Sequence, residues 1–433
     1  MSSSSVSELP AWRRRKVASW ALYDLANSAF ATTVMAGFFP VFFKQYWASD
    51  MSASESTFLL GNINALASIL VVVMAPLLGA IADHGGAKKR FLLFFAVMGI
   101  VMTGGLYLVA QGDWAMALAL YAMGIIGFSG SVVFYDALLI DVAGEREIDF
   151  ISALGFAAGY LGGGVLFAFN VLMVLFPSTF GLPDEAAAVR VSFVTVAIWW
   201  ALFSIPVFLF VEETRPASKS SWSASVRGGF RRLWSTLQQI RMLKQTFLFL
   251  LAYWCYIDGV DTIVRMAVDY GLALGFEANG LMLALLITQF VGFPAALYFG
   301  KLGERRGPRQ GIMIAIFIYL LVILWAYQME SQIEFYILAA TIGLVQGGIQ
   351  SLSRSFYARL IPRDQAGEFF GFYNMLGKFA AVLGPMIMGW VSVLTESPRL
   401  SILAVAILFI VGGVLLALVR PEEGQRQARG LEH

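Results

Sequence analysis

Apolar residues along this chain gather into long runs separated by short polar breaks. A helix needs about twenty mostly apolar residues to cross roughly 30 Å of hydrocarbon. Windows of that length pick out twelve segments, approximately 17–47, 57–82, 90–111, 115–142, 149–176, 189–211, 245–271, 279–301, 310–328, 334–360, 367–394 and 399–419. The pattern therefore predicts an all-α membrane protein of twelve transmembrane helices, six before and six after a polar stretch at 212–244.

The polar breaks carry a second pattern. Basic residues cluster at Arg13 to Lys16, Lys88 to Arg90, Arg227 to Lys244, Lys301 to Arg309, Arg359 to Arg363 and Arg420 to Arg429. The alternate breaks carry Asp50, Glu55, Asp113, Asp184, Glu185, Glu277, Glu330 and Glu396, with only Arg190 and Arg399 as basic neighbours. Cytoplasmic loops are the ones enriched in Lys and Arg. This alternation predicts both termini in the cytoplasm, which requires an even number of crossings; the acidic fourth loop, 144–149, departs from it. The reading divides the chain into a cytoplasmic tail (1–16), a first six-helix bundle (17–211), a cytoplasmic linker (212–244), a second bundle (245–420) and a second cytoplasmic tail (421–433). Within the linker, Trp222, Phe230, Leu233, Trp234 and Ile240 alternate with arginines, which fits either an amphipathic helix lying on anionic lipid or a solvated connection.

Composition narrows the function. Of 433 residues 59% are hydrophobic and 13% charged, with a mean hydropathy of +0.74, against roughly 25% charged in a soluble domain. No polar stretch is long enough for a soluble catalytic core. One cysteine, Cys255, excludes an intrachain disulfide, and with two histidines it makes no metal cluster, so neither metal nor cofactor is expected. Gly162 to Gly164 sit inside a span and lack the lysine of a phosphate loop. No nucleotide site, enzymatic activity or nucleic-acid partner is predicted. The first apolar run is too long for a signal peptide and reads as an uncleaved span in a bacterial inner membrane; Leu431, Glu432 and His433 read as the remnant of a tag.

The halves repeat one another. Span one carries Trp20, Asp24, Asn27 and Ser28, and span seven carries Trp254, Asp258, Asp261 and Thr262 at the same spacing. After span two stand Gly79, Asp83 and Gly86 followed by Lys88, Lys89 and Arg90; after span eight stand Gly300, Glu304, Arg305, Gly307 and Arg309. Spans five and eleven are both rich in glycine. The glycine–carboxylate loop with its basic cluster resembles the signature of the major facilitator superfamily, with His84 and Ala87 at positions usually basic in that signature. The segments 19–33 and 258–263, SWALYDLANSAFATT and DGVDTI, are similar to the fungal vacuolar effluxers linked to autophagy and their bacterial relatives. The resemblance implies export or exchange of amino acids or similar small polar solutes, and the expectation is a monomeric secondary transporter working by alternating access. A non-transporting receptor or scaffold on the same fold, or a lipid transporter, are the rival readings.

Charged residues inside a span are costly and normally face the bundle interior or a wet cavity. Asp24, Asn27 and Ser28 share one helix face, as do Asp258, Asp261 and Arg265. Together with Tyr23, Arg354 and Lys378 they are the candidates for binding solute or proton. A carboxylate held out of water takes up a proton more readily, and with no histidine in a span the aspartates are the candidates for proton coupling. The same charges also fit a purely structural role, with Asp258 and Asp261 fastening helices through Arg265, Arg354 or Lys378. Gly79, Asp83, Asp136, Asp141, Gly300, Glu304 and Arg305 are assigned to a cytoplasmic gate, where a carboxylate holds a helix N-terminus or an arginine in one state only. The glycines of spans five and eleven suit close helix approach. Trp47 is expected to anchor at the membrane interface.

Overall fold

A computed structural model describes residues 10–85, 87–213, 243–273, 278–395 and 397–431, with side chains withheld at some positions inside the helices. Each predicted span coincides with helix. In chain order these are α1 (Ala11–Trp47), α2 (Ala53–Gly85), α3 (Lys88–Gly105), α4 (Trp114–Val142), α5 (Ile148–Leu175), α6 (Glu185–Phe210), α7 (Lys244–Ala273), α8 (Ala278–Arg306), α9 (Pro308–Gln328), α10 (Gln332–Arg359) and α11 (Ala366–Thr395). The last, α12, is broken at Val405 into Pro398–Ala404 and Ala406–Leu418, and a short helix α13 (Pro421–Arg429) follows. Among the described residues eleven helices are long and apolar enough to cross a membrane, and α11, thirty residues long, occupies the place of the other expected span. Most of the linker, together with Gly86, Glu277, Glu396, Glu432 and His433, lies outside the described residues.

Local signals set the helix ends. Asp113 and Asp184 accept hydrogen bonds from the backbone of Met116 and Ala187, capping α4 and α6. Ser331 and Glu334 form a reciprocal capping box at the start of α10. In α1 the regular helix of Ala11–Ala29 passes into π-helical turns over Phe30–Phe38 and again over Phe43–Trp47.

Helices α1–α6 pack as one bundle and α7–α12 as another, and the bundles meet chiefly along α5 against α8 and α2 against α11. Glycine permits both seams. A Cβ on Gly79 would overlap the carbonyl of Gly367, and one on Gly371 would meet the backbone of Pro76 and Ala75. Gly300 lies against Ala153, and Gly303 against Leu352 and Asp149. One correction concerns Trp47, which is fully buried, stacks on Phe193 and donates to the Val109 carbonyl at 3.5 Å. The inward turn of the aromatic end of α1 overrides the interface preference of its indole.

Candidate functional site

Between the two bundles lies a cavity with an empty volume of about 1260 Å³. Its lining comes from α1, α4, α5, α7, α8, α10 and α11, and its polar residues include Asp24, Asn27, Asp136, Asp261, Arg354 and Lys378. The floor is organised by Arg354, which is 2% exposed. Its Nη1 donates to Asp136 Oδ1 at 3.0 Å and lies 3.8 Å from Asp24 Oδ2; its Nε donates to Ser152 Oγ at 2.9 Å and its Nη2 to the Ser152 carbonyl at 2.7 Å. The guanidinium also stands over aromatic rings, 4.4 Å from the Phe156 centroid and 4.9 Å from that of Trp20. Such a charge is tolerated out of water only when paired and hydrogen-bonded.

The carboxylates are fixed in turn. Tyr135 donates to Asp24 Oδ2 at 3.2 Å, and Asn374 Nδ2 donates to Asp136 Oδ2 at 3.0 Å. Trp20 stacks on Tyr135 at 4.4 Å and donates to its carbonyl at 3.0 Å, which orients both. Five helices, α1, α4, α5, α10 and α11, thus converge on one guanidinium, and its bonds join the halves. Higher in the cavity Gln289 Nε2 donates to Thr32 Oγ1 at 2.7 Å, a further bond between halves.

The predicted pair on α7 is split. Asp261 lines the cavity, whereas Asp258 faces α11, where Gly384 N donates to Oδ1 at 2.8 Å and Leu383 N to Oδ2 at 3.2 Å. Three residues along a helix is a turn of about 300°, enough to direct neighbours on one broad face at different partners. The Arg265 side chain lies outside the described residues. Tyr23 is buried behind Tyr135 and is absent from the lining of the cavity.

Ties between the halves concentrate at the face that carries both chain ends and the basic loops. Asp83 accepts from Gly367 N at 3.0 Å and Glu368 N at 2.8 Å, placing its carboxylate on the first turn of α11. Arg359 pairs with the buried Asp149 at 2.6 Å, and Arg429 of α13 pairs with Glu145 at 3.2 Å. Asp141 pairs with Lys88 at 3.3 Å inside the first half, and Lys88 also lies 3.6 Å from Asp83. Asp136 sits deeper than this face, on the cavity floor. At the matching end of α8, Glu304 is half-buried and Arg305 is exposed, and Gly300 forms the close contact with α5.

Sequence reasoning overlooked Gln346 and Gln350, although with Arg354 they form a polar stripe at four-residue spacing along one helix. Asn374 precedes Lys378 by four residues in the same way. Ser152 and Tyr135 gave no comparable signal.

Comparison with known proteins settles what this arrangement belongs to. The profile described as "Vacuole effluxer Atg22 like" matches residues 50–147 and 142–429. An uncharacterised MFS-type transporter, YxiO of Bacillus subtilis, is 41% identical over 407 residues, covering 94% of each chain. This chain belongs to the Atg22-like family. Another member, autophagy-related protein 22 of Kluyveromyces lactis, is 23% identical, with 98% of this chain and 97% of the relative covered. Among solved structures the Atg22-like fold matches the human organic anion transporter MFSD10 at TM-score 0.71 and 16% identity, covering 94% of this chain and all of the other. It also matches the major facilitator FucP at 0.69 and 13%, covering 94% and 98%. The expected all-α major facilitator fold is thereby established, and this Atg22-like protein is a multi-pass membrane transporter of that superfamily.

Proposed function

We propose that this protein is a secondary transporter that moves a small polar solute, carrying both an ammonium and a carboxylate group, by alternating access coupled to protons. The observation that carries the reading is the ion network of Arg354, Asp136 and Asp24 at the floor of a cavity between the halves. Three carboxylates in the lining, Asp24, Asp136 and Asp261, face two cations, Arg354 and Lys378, so both signs of charge are offered to one solute. The buried Gln346 Oε1 has no hydrogen-bond partner among the described residues and supplies an acceptor for an ammonium group. The surplus carboxylate gives a place for a transported proton. Both termini and the basic face lie in the cytoplasm, in a bacterial inner membrane, following the bias of Lys and Arg.

Asp83, Arg359 and Arg429 hold the cytoplasmic side closed in this state, and their release accompanies opening to that side. In proteoliposomes preloaded with unlabelled amino acids, counterflow of a labelled one is expected, faster with a proton gradient than without. Absence of counterflow for any amino acid, with counterflow for a sugar or a dicarboxylic acid, would sink the solute assignment.

A further inference from the structure

A second chamber, separate from the central cavity and lined by both basic and apolar side chains, lies at the basic face on the rim of the second half. It has an empty volume of about 1300 Å³ and sits between the end of α8, the start of α9, the end of α10 and α13. Arg306, Arg309 and Arg359 line it, and no carboxylate is among its lining residues. Gly307, at φ +83°, makes the turn from α8 into α9, a backbone conformation that favours glycine. Pro308 then occupies the first position of a 21-residue helix, whose opening amides have no partner within the helix. Arg359 holds Asp149 through Nη2, and its buried Nε has no hydrogen-bond partner among the described residues.

We infer that this chamber holds the headgroup of an anionic phospholipid. Three guanidinium groups and a helix N-terminus match a phosphate diester in charge; Arg309 and Arg359 are each steadied through Nη2, on the Ala417 carbonyl and on Asp149, and keep their other N–H groups as donors. The wall of the chamber tells a lipid from a soluble anion. Ile314 belongs to it and begins a stripe of Ile314, Phe317, Leu321 and Leu324 along α9, exposed by 37, 61, 49 and 54%. An acyl chain continuing from the headgroup would lie on that stripe. The assignment stands apart from the choice of transported solute, because no residue of the chamber lines the central cavity.

Native mass spectrometry of the detergent-solubilised full chain, titrated with phosphatidylglycerol, reads the site directly. Each basic group near a lipid phosphate is worth about fivefold in affinity, so Arg306→Gln with Arg309→Gln should weaken phosphatidylglycerol retention about 25-fold. Retention of phosphatidylcholine should match between that variant and the unaltered protein, which also reports that the variant is folded. Should the glutamine variant not fold, Arg306→Lys with Arg309→Lys keeps the charges and should hold phosphatidylglycerol within about fivefold of the unaltered protein. Equal phosphatidylglycerol retention with and without the two arginines would overturn the site. Displacement of the lipid by millimolar inorganic phosphate would overturn its assignment to a lipid.

Discussion

Arg354 pairs with two aspartates brought to it from different helices, with Ser152 and three aromatic rings supporting it from the other sides. Removing one partner of a buried ionic set leaves an uncompensated charge and costs about 3–5 kcal/mol. Arg354→Gln should therefore abolish transport and lower thermal stability, and adding Asp136→Asn should restore part of the stability without restoring transport; melting curves in detergent read both. Asp258 and Asp261 should part company in the same assays. Asp258→Asn leaves one of two backbone amides short of a carboxylate oxygen, so it should cost about 1–3 kcal/mol of stability while transport per folded molecule persists. Asp261→Asn, at the wall of the cavity, should lose transport. At this scale the sequence was informative about residue type and silent about direction. Intramembrane charges announced themselves, and Asp24, Asp261, Arg354 and Lys378 do meet in one chamber. That Asp258 turns to the amides of α11, or that Tyr23 lies behind Tyr135, depends on a helix rotation of tens of degrees, which spacing along one helix does not encode.

At the scale of elements the two seams matter most. Gly79 on α2 lies so near the backbone of Gly367 that any side chain must push the helices apart, and Gly300 is similarly placed against Ala153. Overpacking a tight contact typically costs about 1–3 kcal/mol. The cost falls only on the state in which the seam is closed, so Gly79→Val should shift the population toward opening at the basic face. After Cys255→Ser, a cysteine placed at Asn374 should then react faster with a maleimide applied from that side than it does without Gly79→Val; unchanged labelling would argue against the seam as a gate. The spans themselves were readable because hydrocarbon demands long apolar runs whatever the tertiary contacts. The break in α12 at Val405 and the wide turns of α1 escaped that reading, since neither interrupts the apolar run.

On the scale of the whole molecule, two six-helix bundles share a floor of ionic bonds and, at the basic face, a set of ties that includes Asp83 to α11, Arg359 to Asp149 and Arg429 to Glu145. The last pair is exposed and contributes little on its own. Its position makes it useful as a handle. With Cys255→Ser as background, Glu145→Cys and Arg429→Cys joined by a short bismaleimide should stop transport completely, whereas each single cysteine treated alike should transport normally. Transport that survives the bridge would mean that the halves do not part at this face during the cycle. The duplication visible in the motifs anticipated this two-bundle plan. It did not anticipate the inequality between the repeats, in which Asp83 caps α11 while its counterpart Glu304 caps no helix among the described residues.

The first helix has a property that a straight rod lacks. A π turn holds one residue more than an α turn, and such turns collect at working sites. Ala31 and Thr32, in the first such stretch of α1, form part of the chamber wall. A regular α-helical continuation past Ala29 would set both side chains at a different angle about the axis, so the wider turns decide that they face the chamber. The widened turns of the first helix thus help to set which side chains the chamber presents.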